Sequence, residues 1–382
     1  MIELDYINKI REKFPVTQNL IYFDHAAVAP IHIDSVNAVN EYLSDLIKYG
    51  DRHYKNWFNK SEEIRKGMAE FINADADEIA YIKNTSQGIS IVANGLDFQS
   101  GDNVVLPDIE FPANVYPWMG LEKKGVKVKL VESINGQVPV ERIAEAIDIN
   151  TRVVSVSSVE FSSGYRNDLR SIGSLCISKS EEYGRKIFFN VDAIQSLGAL
   201  KIDVKDLQID FLSADGHKWF LTPEGAGIFY CNRKYLNYLF PSSLGWKSVK
   251  DPLCFTSINF ELHESARKFE EGSLNMMGIV ALGASLNLFN SVGMEKIERK
   301  ILYLTRLALE ALKKRGYIII GSVADSHRSG IISFKAPGAI EDIYKHFIDN
   351  NIQLSLRGGN LRISPHFYNT EEEIAKFISL LR

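Results

Sequence analysis

A lysine and an aspartate, each standing where an apolar run ends, are the residues of this chain best suited to covalent chemistry. Asp192 closes the run 187–191, and Lys218 follows the run 209–212 inside Ser213-Ala214-Asp215-Gly216-His217-Lys218-Trp219. Both runs look like buried strands. A carboxylate and an amine would then meet at the carboxyl edge of a parallel sheet, where open α/β sheets gather their ligands. A lysine can form an imine with an aldehyde, and an aspartate can keep a pyridinium nitrogen protonated; pyridoxal phosphate (PLP) demands that pair. Taken singly, either residue reads more simply as a solvated charge at a strand end, so the neighbours must carry the assignment.

Gln195 lies one short loop past Asp192, and its amide can donate to a ring oxygen; its simpler reading is an exposed loop amide. His217 reads either as a phosphate contact or as a satisfied core histidine. Phe111, in Glu110-Phe111-Pro112-Ala113-Asn114, can stack on a pyridine ring, although an aromatic more often only fills core. Asn84-Thr85-Ser86-Gln87-Gly88 joins a strand-like stretch, 79–82, to an apolar helix, 89–96. Hydroxyls and unpartnered amides at a helix start form an anion site, or else a plain cap. Arg357 and Arg362 flank the glycine turn of Leu356-Arg357-Gly358-Gly359-Asn360-Leu361-Arg362. A guanidinium can grip a carboxylate through two parallel bonds; two solvated strand-end charges are the plainer account.

Positioning these groups is the work of an alternating pattern. Strands are expected at 79–82, 104–106, 126–131, 153–159, 187–191, 209–212 and 227–231, and helices at 34–49, 60–71, 114–124, 140–147 and 169–183. Strands separated by helices imply crossovers and a mostly parallel sheet covered on both faces. Residues 1–15 read as an amphipathic helix ended by Pro15, and 20–23 as a short strand running into the small-residue turn at His25. Residues 274–314 are helical with a break near Gly293. The tail carries strands at 317–320, 330–334 and 352–356, with 361–363 continuing the last, and helices at 340–349 and 371–381, the latter opened by the capping box Thr370-x-x-Glu373.

The chain has 382 residues, a length that suits two domains. A formal net charge of -4 argues against a general nucleic-acid binder. Cys176, Cys231 and Cys254 are widely spaced and suggest neither metal site nor disulfide framework. No apolar stretch reaches the roughly 20 residues that a spanning helix needs, and the N-terminus lacks a signal-peptide core. No membrane partner and a cytoplasmic location are therefore expected.

Val191-Asp192-Ala193-Ile194-Gln195, followed by Ala214-Asp215-Gly216-His217-Lys218-Trp219 and Pro223-Glu224-Gly225, resembles the class V aminotransferase family of fold-type I PLP enzymes. That group includes cysteine desulfurases, selenocysteine lyases, kynureninases and isopenicillin-N-epimerase-like proteins. The resemblance implies an α/β fold: a large PLP-binding domain over 16–286, and a smaller α+β domain from 1–15 and 287–382. It implies that Lys218 holds the cofactor as an imine, with Asp192 at the ring nitrogen, Gln195 at the ring oxygen and Phe111 on the ring face. Thr85, Ser86 and His217 would take the phosphate, with Gln87 and Asp215 beside them and Ser158 near the ring. Ser273 would reach across a homodimer into a shared site. Arg362 and Arg357 would bind the substrate carboxylate, with His25 close by.

The departures bear on the reaction. Desulfurases carry a histidine where this chain has Phe111, and a nucleophilic cysteine between or just after the two arginines; here no cysteine follows Cys254. Val159-Glu160-Phe161-Ser162-Ser163-Gly164 looks closer to the kynureninase and epimerase-like branches. Asp215 stands where many relatives have serine. The expectation is a PLP-dependent aminotransferase or C–S/β-lyase acting on an amino acid, and not a persulfide-forming desulfurase. A cysteine desulfurase or selenocysteine lyase is the alternative, and a non-catalytic PLP-binding scaffold is the alternative from another class.

Overall fold

Neighbouring residues of the central strands enter two different apolar cores. Val104 and Leu106 join one cluster and Val105 the other; Phe188 and Phe189 divide the same way, as do Phe211 and Leu212. Side chains alternate across a strand, so a sheet with a core on each face must be apolar at almost every position.

The computed structural model describes residue 2 and residues 4–381. It opens with helix α1 (Leu4–Arg11) and strand β1 (Ile21–Tyr22), then α2 (Ile33–Tyr49) and α3 (Tyr54–Phe71). The central layer follows as β2 (Ile79–Ile82), α4 (Thr85–Gly95), β3 (Asn103–Pro107), α5 (Tyr116–Met119), β4 (Lys127–Val131), α6 (Val140–Ala146), β5 (Thr151–Ser157), α7 (Leu169–Tyr183), β6 (Phe188–Asp192), β7 (Phe211–Asp215) and β8 (Gly227–Cys231). Their order in the sheet is β2-β8-β7-β6-β5-β3-β4, parallel except where β8 pairs with β7 and β2. The exception has a local cause. The link from β7 to β8 holds no helix, and a chain without a crossover must double back antiparallel. That link carries Lys218.

Helix α8 (Met276–Val292) packs on α2 and α3 and is followed by α9 (Met294–Lys314), bent by 82° from it at Gly293. The tail adds β9 (Ile318–Ile320), β10 (Ile332–Lys335), α10 (Ile340–Asp349), β11 (Ile352–Gln353), β12 (Ser355–Arg357), β13 (Asn360–Ile363) and α11 (Glu371–Leu380). Its sheet, β12-β13-β10-β9, is antiparallel, and its core draws on α9, α10 and α11.

Several expectations need correction. Helix α1 ends at Arg11, and Pro15 instead starts a short 3₁₀ turn, where its missing N–H costs nothing. Residues 114–124 form three short turns of helix around Pro117 and Gly120, not one helix. Residues 361–363 do not continue the preceding strand. They return antiparallel as β13 after Gly358 and Gly359, both at positive φ (55° and 74°), where glycine alone is unstrained. The expected domain boundary at 286–287 falls inside α8, and β1 pairs in parallel with β11, tying residues 21–22 to the tail. Among the described residues no single helix is long and apolar enough to cross a membrane.

Candidate active site

Asp192 is the last residue of β6 and pairs in register with Ser213 on β7, five residues before Lys218. Both side chains are buried, at 2% and 9% exposure. Burial lowers the Lys218 amine to about 8; the charge of Asp192 opposes that shift, and those of Arg362 and Arg357 reinforce it. Burial raises the Asp192 carboxyl to about 6, against a 3.0 Å hydrogen bond from the Ile194 N–H and the charge of Lys218. Amine and carboxylate thus sense each other inside one desolvated pocket, where each charge acts more strongly than in water.

The start of α4 is brought to the end of β7. The Asp215 N–H donates to Thr85 Oγ1 at 3.1 Å. A Cβ on Gly88 would come within 2.3 Å of Ser213 Oγ, so only glycine lets the helix approach so closely. The N–H groups of Thr85 and Ser86, first in the helix, have no intrahelical acceptor. The Asp215 carboxylate takes the Gly216 N–H at 2.7 Å and lies 2.9 Å from His217 Nδ1, out of line for a hydrogen bond. It therefore faces the imidazole. Gln87 is committed by its Oε1 to the Lys83 N–H (2.7 Å), and it shares the wall of a 110 Å³ cavity with Ser273.

Phe111 stands over the amine, its ring centroid 5.5 Å from Lys218 Nζ, and the Phe161 ring meets it edge-on at 5.1 Å. Arg362 is 1% exposed and held from three sides: by Ser355 Oγ (3.2 Å), the Phe161 carbonyl (2.7 Å) and Asp24 (3.4 Å). A guanidinium has five N–H donors, so donors remain for a ligand. Arg357 is exposed. Gln195 bridges the Ala26 carbonyl and Trp219 Nε1, at 3.0 and 2.9 Å, which leaves one amide hydrogen free.

Two of the expected residues have their polar atoms already engaged by the protein. His25 is fully buried, its Nδ1 2.8 Å from the Ser364 carbonyl and its Nε2 2.6 Å from the Tyr368 hydroxyl, and burial holds its pKa well below the usual histidine range. It fixes the chain and has no nitrogen left for substrate. Ser158 bonds to Ser196 Oγ (2.6 Å) and the Asp192 carbonyl, and it lines a separate 690 Å³ cavity with Arg166 and His327. The residues that sequence reasoning missed are Asp24, Glu110, Glu160 and Phe161. The signal for Glu110, Glu160 and Phe161 was a glutamate directly before a phenylalanine, twice.

The pattern of the Aminotransferase class-V family matches residues 21–377. The chain belongs to the class-V aminotransferases. A relative from Methanothermobacter thermautotrophicus named as a probable cysteine desulfurase is 32% identical, over 96% of this chain and 94% of its own. The apo structure of cysteine desulfurase from Thermococcus onnurineus NA1 has a TM-score of 0.88 at 27% identity, covering 98% of this chain and 96% of that one. The cystine C–S lyase C-DES, solved with its reaction product cysteine persulfide, shares the fold, with a TM-score of 0.89 at 23% identity over 96% and 98%.

This class-V aminotransferase is a PLP-dependent enzyme of fold-type I. Its residues fit that cofactor. A carboxyl and an amine are buried together, the open end of α4 abuts the strand that leads to the amine, and an exposed aromatic ring lies over it.

Proposed function

We propose that this class-V aminotransferase breaks the carbon–sulfur bond β to the amino group of a cysteine-type amino acid. Of the branches open in the sequence, the desulfurase-like alternative has the better support, because the relative aligned over 96% of the chain is named as a probable cysteine desulfurase. The observation that carries the reading is the burial of the Lys218 amine and the Asp192 carboxyl at the ends of adjacent strands, beneath the Phe111 ring.

PLP, when bound, supplies the sink for the electron pair left at the α-carbon. Lys218 would hold the cofactor through its amine and, once released, would take the α-proton. Asp192 keeps the ring nitrogen protonated. Thr85, Ser86 and His217 hold the phosphate, with Asp215 orienting His217. Arg362, and Arg357 at the mouth, take the α-carboxylate. Sulfur then leaves the β-carbon as its bond electrons depart with it.

The persulfide-forming route of a desulfurase would instead need an enzyme thiol to take the sulfur while the bond electrons stay on carbon. Cys176 and Cys231 are buried and their thiols pushed up by burial; Cys254 is exposed, on the stretch before Ser273. This favours a second reading within the same class: a disulfide amino acid, whose sulfur departs as a persulfide that needs no acceptor. The holoenzyme should release sulfide from L-cysteine, or cysteine persulfide from L-cystine, in each case together with pyruvate and ammonia. Amino transfer to an added keto acid with no sulfur released would sink the reading. Bound cofactor without turnover of any amino acid would favour the scaffold.

The homodimer belongs to the same proposal. Leu253, Phe255, Ile258 and Phe260 stand exposed along one short stretch of chain, and large apolar side chains exposed together mark association surfaces. Ser273 opens on the cavity it shares with Gln87, where a partner can complete the site. Sedimentation equilibrium should give twice the chain mass; a monomer at micromolar concentration would exclude the shared site.

A further inference from the structure

Two loops approach the aromatic pair at the mouth, and each carries a glutamate directly before its phenylalanine. Glu110 precedes Phe111 after β3, and Glu160 precedes Phe161 after β5, the strand beside β3 in the sheet. While the rings meet at the mouth, both carboxyls lie buried, at 6% and 0% exposure. One hydrogen-bonded chain joins them. Glu110 accepts from the N–H and the hydroxyl of Ser157. The Ser157 carbonyl accepts from Asn167 Nδ2 at 2.8 Å, and that same nitrogen donates to Glu160 Oε1 at 2.8 Å. The loop is closed at its other end by Glu160 N–H to the Tyr165 carbonyl and by Gly164 N–H to the Glu160 carbonyl. Its Phe161 carbonyl holds Arg362.

We propose that Glu160 is a positioning residue: bonded through Asn167 and Ser157 to Glu110, it sets both the Phe111–Phe161 contact over Lys218 and the carbonyl that aims Arg362. The inference rests on the Arg362 role proposed above. Glu160 Oε2 is buried with no hydrogen-bond partner, a place where a carboxylate charge would be uncompensated and a neutral carboxyl is tolerated. Burial pushes both carboxyls up, and Glu110 pushes Glu160 further. A neutral amide of the same shape should therefore replace Glu160, whereas truncation should release the loop.

The test compares Glu160→Gln, Glu160→Ala and Phe161→Leu as holoenzymes. The readouts are the visible spectrum of bound PLP and the spectral titration with L-alanine, used as a probe carrying the α-amine and carboxylate. Glu160→Ala should weaken L-alanine binding about tenfold, the worth of one hydrogen bond to a charged group, and shift the spectrum. Glu160→Gln should match the parent in both. Phe161→Leu keeps the carbonyl, so it should shift the spectrum without weakening binding. Unchanged spectrum and binding in Glu160→Ala overturns the proposal, as does a Glu160→Gln enzyme as impaired as Glu160→Ala. A parent blind to L-alanine but active on sulfur amino acids is titrated with L-cysteine instead. A parent blind to every amino acid defeats the proposed function, while the spectral comparison still decides the role of Glu160.

Discussion

Lys218→Ala should lower turnover by about 10³-fold or more and leave PLP bound without its covalent link. The variant loses two roles at once, the imine and the base, and a positioned base alone is worth about 10²–10⁴-fold. Borohydride treatment followed by peptide mass mapping checks it: the parent should gain a reduced adduct on the Lys218 peptide and the variant none. An adduct on another lysine would remove the residue on which the site is built. The amine also sets a pH dependence. Its pKa is lowered to about 8, chiefly by burial, so it is protonated below that pH and free above it. Covalent capture of added PLP by the apoenzyme should speed up as pH rises and level off above about 8. Asp192→Asn removes the charge that opposes the shift, so the midpoint should move to lower pH. A midpoint near that of an ordinary lysine would mean that the pocket is wetter than its burial implies.

Arg362→Ala should lower kcat/KM for an amino acid substrate by about 10²-fold, mainly through KM, because a buried charge-assisted pair is worth about 2–3 kcal/mol. Arg362→Lys should recover little of it. An ammonium cannot reproduce a planar fork that already serves Ser355, Phe161 and Asp24. Stability enters separately. Asp24 is raised by burial and held back chiefly by Arg362, so the alanine variant strands a buried carboxylate and should melt at lower temperature. Adding Asp24→Asn should restore much of the melting temperature and none of the KM. If the second substitution restored both, the arginine would be a structural residue and the carboxylate site would lie elsewhere.

The pair at the strand tips was legible because each half is a local signal. Buried parallel strands are apolar at nearly every residue, so a charge closing such a run, as Asp192 does, or just past one, as Lys218 is, stands out. The glycine turn between Arg357 and Arg362 was visible for the same reason, although its consequence was misjudged. The backbone reverses there through two positive-φ glycines, and whether a turn ends a strand or folds it back depends on the partner strand, which lies elsewhere in the chain.

The sequence by itself determined the alternating α/β order, the family and its PLP cofactor, and it singled out Lys218 and Asp192 as the pair proposed to hold that cofactor, because periodicity and motif spacing are written in consecutive residues. Only the tertiary structure decided which polar groups are free to act. Ser364 and Tyr368, more than 330 residues from His25, claim both nitrogens of its ring. Ser196 occupies the hydroxyl of Ser158, and a hydrogen-bonded chain through Ser157 and Asn167 joins Glu110 to Glu160. A side chain's chemistry depends on which of its donors and acceptors are already satisfied, and those partners come from segments that only folding brings into contact.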